Sequence, residues 1–130
     1  MRDYQPQVNN KYYLPDTTYK LSLAMIRDYY HTKTMIDAIL YESPAPPDGM
    51  PRGSGVSDPT SSKAMRLEEY YDKIRKIDDA LDTIPKIYQR GVWDNIMFGT
   101  PYPGDAARST YSSYKSKFIY GVADSFHLFI

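Results

Sequence analysis

A chain of 130 residues, 42% hydrophobic and 25% charged, has the makeup of one globular domain: too short for two cores and too apolar for disorder along its length. Lys plus Arg total 16 and Asp plus Glu total 16, so the strongly basic signature of a nucleic-acid binder is missing. With no cysteine, a disulfide framework and thiolate metal sites are both excluded.

The first segment, residues 1–14, holds Pro6, Asn9 and Asn10 without a steady period and reads as a poorly ordered arm. No apolar signal region opens it, and no later apolar run approaches the ~20 residues of a membrane helix. The expectation is a cytoplasmic protein with no membrane contact. From Pro15 onward a single helical domain is expected to run to residue 130. Asp16 or Thr17 is placed to cap a first helix whose apolar stripe is Tyr19, Leu23, Ile26, Tyr30, Ile36 and Leu40, with Lys33 interrupting it and snorkelling outward.

Residues 43–60 contain five prolines and three glycines, which neither helix nor strand tolerates, so they form a long flexible loop. Asp58 as cap and Pro59 in the first turn start a second helix with Leu67, Tyr71, Ile74, Ile77 and Leu81 inward. Its other face carries Arg66, Glu69, Lys73, Lys76 and Asp79, with Glu69 and Lys73 at favourable i,i+4 spacing. After Thr83-Ile84-Pro85 a third helix runs to about Phe98, with Tyr88, Val92 and Ile96 on one side, Trp93 and Met97 beside them, and Gly99 as its stop. Ser109 is the expected cap of a fourth, with Tyr111, Tyr114, Phe118, Val122 and Phe126 inward. No segment alternates as a strand does. The expected fold is therefore all-α: four helices, a long Pro/Gly-rich loop and, over residues 84–130, a helix-turn-helix variant.

Catalytic groups are not apparent. His31 and His127 have no spaced partner, the Asp78, Asp79 and Asp82 trio lacks a cation-binding loop, and the glycines of GMPRGSG lack the Gly-Lys-Ser/Thr ending of a phosphate loop. The chain is accordingly expected not to be an enzyme and to need neither cofactor nor metal. Tyrosine is the conspicuous excess, 14 residues with pairs at 12–13, 29–30 and 70–71, suited to half-wet packing or to an interface.

The last third holds the only basic bias, five cations against three anions over residues 84–130. In RSTYSSYKSK the groups Arg108, Thr110, Ser112, Ser113, Lys115, Ser116 and Lys117 are those a recognition helix would offer to phosphates and base edges, over a support helix bearing Trp93, Ile96 and Met97. The connection from Gly99 to Ser109 is longer than that of a compact helix-turn-helix. The stretch Ile84–Leu128, with Trp93 and the ARSTYSSYKSKFIYGVA run, resembles the C-terminal region of small phage and prophage transcription regulators of the RinA/ArpU type, whose helix-turn-helix is akin to the promoter-reading region of sigma factors. That resemblance implies binding of double-stranded DNA by those seven residues. A neutral chain would then act as a homodimer presenting two recognition helices. The alternative is a phage-encoded interaction or inhibitor protein that binds host RNA polymerase or another host protein through its Tyr-rich helix faces.

Overall fold

In the computed structural model, residues 11–42 and 59–128 are described, except for the side chains of residues 59–61; most of the arm and nearly all of the Pro/Gly-rich segment lie outside them. The described residues form helices and turns with no strand: α1 (Asp16–Arg27), α2 (Tyr29–Leu40), α3 (Pro59–Leu81), α4 (Lys86–Phe98) and α5 (Arg108–Ser125). Among the described residues there are five helices where the stripes suggest four. The end of the arm is packed, with Leu14 buried and the Tyr12 ring edge-on to Tyr120 at 5.6 Å between centroids.

The extra helix arises at Asp28, whose φ of −82° and ψ of 0° end α1. The break redirects the chain, for α1 packs on α5 and α4 while α2 lies along α3. It also shifts the inward face: α2 buries Tyr29, Thr32, Ile36 and Ile39, and leaves Tyr30 and Leu40 exposed. The steps 26, 29, 32, 36, 39 explain the Lys33 interruption, since Lys33 lies beside the stripe and rests its ammonium 4.8 Å from the centre of the Tyr29 ring.

Helix ends differ in detail from the expected caps. Pro15 and Ala107 occupy the N-cap positions of α1 and α5 with no side-chain cap bond, so Asp16 stands in the first turn, where its charge complements the helix dipole. Asp16 also pairs with Lys20 at 3.0 Å. Helix α3 begins at Pro59, as a proline in the first turn allows. Ion pairs within the helix run from Asp72 to Arg75 (2.7 Å) and Lys76 (3.0 Å) rather than from Glu69 to Lys73. Gly99 ends α4 at φ 69°, and its N–H bonds back to the Asn95 carbonyl. Helix α5 closes with His127 at φ 55°, where the N–H of His127 returns to the Asp124 carbonyl and that of Leu128 to Ala123, the Schellman pattern without its usual glycine.

Helix α5 is the centre of the fold, touching α1, α3 and α4. Tyr111, Phe118, Ile119, Val122 and Ala123 are all buried, together with Lys115 and Ser116, so its apolar surface wraps around the axis instead of forming one stripe. The core is completed by Leu23 and Ile26 of α1, Ile77 and Ala80 of α3, Ile84, and Val92 and Ile96 of α4.

Candidate functional site

Two aromatic clusters flank α4. On one side Tyr88, Tyr102, Tyr111 and Tyr114 join α4, the 99–107 connection and α5: Tyr102 stacks on Tyr111 (5.2 Å), Tyr88 stacks on Tyr114 (5.0 Å), and Tyr88 meets Tyr111 edge-on (5.3 Å). The Tyr111 hydroxyl donates to Asp105, and that bond, followed by burial, pushes the phenol up to about 12. Burial also raises the Tyr102 phenol, against the opposing pull of Arg108. This cluster is structural, for Tyr111 is wholly buried and the ring stack fastens the long connection to both helices.

The other cluster opens to solvent. Tyr29 and Tyr30 of α2, Trp93 and Phe98 of α4 form a herringbone: Tyr29 is edge-on to Trp93 at 4.9 Å, Tyr30 is edge-on to Trp93 at 6.1 Å, and Phe98 stacks on Tyr30 at 6.4 Å. Polar ends are used within it. The Trp93 indole N–H donates to the Tyr30 hydroxyl (2.9 Å), and the Tyr29 hydroxyl donates to Asp78 Oδ1 on α3 (2.8 Å). Burial, then the bond to Asp78, raises the Tyr29 phenol well above its ordinary range.

A cleft of about 400 Å³ lies over this cluster between α2, the end of α3 and the start of α4. Tyr29, Tyr30 and Trp93 supply its aromatic wall, and Lys33, Lys86 and Arg90 stand around it, with Asp78 the one carboxylate lining it among the described residues. Arg90 is tied to Asp94 through Nε at 3.0 Å, while among the described residues neither Lys33 nor Lys86 has a carboxylate partner. The volume falls in the range of pre-formed ligand clefts. Tyr30 (47% exposed) and Phe98 (64%) carry the same aromatic surface outward, beyond what packing requires.

The seven residues singled out in α5 do not form one surface. Arg108, Ser112 and Ser113 are exposed, and Thr110 is half-buried. Lys115 is buried with Nζ donating to Asn95 Oδ1 (2.9 Å), and the Asn95 amide donates in turn to the Thr100 carbonyl (2.9 Å), latching α5 to the end of α4. Ser116 is buried with its hydroxyl on the Ser112 carbonyl (3.0 Å), and Lys117 reaches the Thr83 carbonyl (3.2 Å). A helix surrounded on three sides turns part of any such run inward.

In the sequence Trp93 stands among the support residues and Lys33 interrupts an apolar stripe, yet both border the cleft. The available signals were the Lys86, Gln89, Arg90, Trp93 ridge, spaced at helical intervals, and the Tyr29-Tyr30 pair, of which one ring must face out. No group of three or more His, Asp or Glu able to hold a metal ion occurs among the described residues, and no helix there is long and apolar enough to cross a membrane. Compared with protein-family models, curated proteins and solved structures, the chain matches none.

Proposed function

We propose that this chain is an interaction protein that binds another protein through the aromatic face shared by α2 and α4. The observation that carries the reading is the cleft over Tyr29, Tyr30 and Trp93, continuous with exposed Phe98. Tyr and Trp concentrate binding energy at interfaces because they bury large rigid areas at low entropic cost while keeping a polar end. The resemblance to prophage proteins makes a host protein the expected partner.

The DNA-binding regulator reading, with dimers reading two half-sites, draws its support from that same resemblance and from Arg108, Ser112 and Ser113 on the outer side of α5. With Lys115 enclosed, its phosphate contacts fall to Arg108 and Lys117, few for a neutral domain at physiological salt.

The two readings separate by site-specific photo-crosslinking in cells. A benzophenone side chain at Phe98 should capture one protein species, and the same group at Ser113 should not. The capture should fail when Tyr30→Ala is added. Crosslinks to DNA from Ser113 but none to protein from Phe98 would reverse the assignment.

A further inference from the structure

Resting on that interaction reading, we infer that the cleft between α2 and α4 takes an acidic segment of its partner, one apolar side chain seated on Trp93 with carboxylates flanking it.

The charge arrangement selects the sign. Lys33 comes from α2, and Lys86 and Arg90 from successive turns of α4, so cations stand on both walls of one opening. Asp78, the facing carboxylate, already accepts the Tyr29 hydroxyl. Lys33 is held over the Tyr29 ring instead of by an acid, and Lys86 is exposed. Such a pair of cations, without carboxylate partners among the described residues and set within a Debye length of a ligand, attracts anionic groups and rejects cationic ones.

The aromatic geometry selects a peptide over a nucleic acid strand. Single-stranded nucleic acids use flat ring faces on which bases stack in succession. Here Tyr29, Tyr30 and Trp93 lie at 80° to 89° to one another, and one broad stacking surface, that of Tyr30, is turned to Phe98 at 16°. Rings set edge to face make a notched wall that fits one bulky side chain, the anchor-in-pocket form of peptide recognition.

Trp93 is the only tryptophan of the chain, so its emission reports the cleft directly. The test titrates full-length protein with three Trp-free twelve-residue peptides sharing a central Leu anchor and flanked by Glu and Asp, by Ser and Gln, or by Lys and Arg, together with oligo-dT of twelve nucleotides. At low ionic strength the acidic peptide should change Trp93 emission saturably, at least tenfold more tightly than the neutral one, and the advantage should shrink as salt is raised. In the Lys33→Glu/Lys86→Glu variant, with unchanged circular dichroism, the preference should invert toward the basic peptide. Replacing Leu by Ser in the acidic peptide should abolish the response. Equal binding of neutral and acidic peptides overturns the charge assignment, and a preference for oligo-dT overturns the peptide assignment. If none of the three peptides responds, the inference is lost, whereas the interaction reading stands or falls separately on the Phe98 crosslink.

Discussion

Replacing Gly91 by alanine sets helix propensity directly against packing. In the middle of a helix the substitution ordinarily stabilises by about 1 kcal/mol, because alanine restricts the unfolded chain and suits the helix better. At this position an added Cβ would lie 2.6 Å from Tyr111 Cε1 and 2.8 Å from Pro103 Cδ, both closer than real methyl contacts. Neither neighbour yields easily, since Tyr111 is 0% exposed, hydrogen-bonded to Asp105 and stacked on Tyr102, and Pro103 belongs to the connection that this stack fastens. Overpacking of such a site costs roughly 1–3 kcal/mol. The upper part of that range wins over propensity, and we expect Gly91→Ala to destabilise by about 1–2 kcal/mol, lowering the melting temperature by roughly 3–8 °C in a domain of this size. Urea denaturation followed by circular dichroism measures it, with an unchanged m-value marking a native-state effect. Combining Gly91→Ala with Tyr111→Leu should cost less than the sum of the single changes, because the tighter clash is gone while that with Pro103 stays. A Gly91→Ala protein as stable as the parent, or more so, would refute the packing argument.

Four further outcomes follow from the same contacts. Lys115→Ala should destabilise by about 2–3 kcal/mol, as it empties a buried position and removes the charge-assisted bond to Asn95, whereas Ser113→Ala, at an exposed position, should stay within about 0.5 kcal/mol; chemical denaturation compares them. His127→Gly should stabilise by roughly 0.5–1 kcal/mol, the relief of a left-handed residue less the greater chain entropy of glycine, read as a rise in melting temperature. Tyr29 and Tyr111 hold their phenolic protons more tightly when folded than the unfolded value of 10.0, so they leave stability intact below pH 10 and erode it as pH climbs from 10 toward about 12 and beyond. Phenolate absorbance should show those two titrating late, and Tyr29→Phe/Tyr111→Phe should flatten the alkaline loss of stability. Gly99→Ala should cost about 1–2 kcal/mol, since φ 69° at the end of α4 penalises any Cβ, and thermal denaturation reads it.

Periodicity made the all-helical class legible, and punctuation made several boundaries so: Pro59 opens α3 and Gly99 closes α4. What periodicity could not supply was phase across Asp28. One residue of shift exchanges Tyr30 for Tyr29 on the inner face, and nothing in the local sequence states which ring of an adjacent pair goes in until α3 supplies Asp78 as an acceptor. The inward turn of Lys115 was equally hidden. A lysine reads as solvated unless a distant group receives it, and Asn95, the receiver, lies on the preceding helix and was itself unremarkable as a sequence feature. The cleft was hidden for a related reason, because its walls belong to helices far apart in sequence and Lys33 gains its meaning only beside Lys86.

The central position of α5 bears on where binding can occur. Among the described residues, a helix packed against α1, α3 and α4 exposes Arg108, Ser109, Ser112, Ser113 and Asp124, whose polar groups offer little apolar area. Helix α4 lies at the edge, spends Val92 and Ile96 on the core, and still has Trp93, Phe98, Lys86 and Arg90 facing or bordering solvent. Helix α2 likewise buries Tyr29 yet exposes Tyr30. Their adjoining outer faces hold aromatic area and a shared charge in the same place. That coincidence distinguishes the α2–α4 face from the exposed side of α5, and if the proposed interaction is made there, substitutions at Tyr30 and Lys86 should weaken it while leaving the helical fold in place.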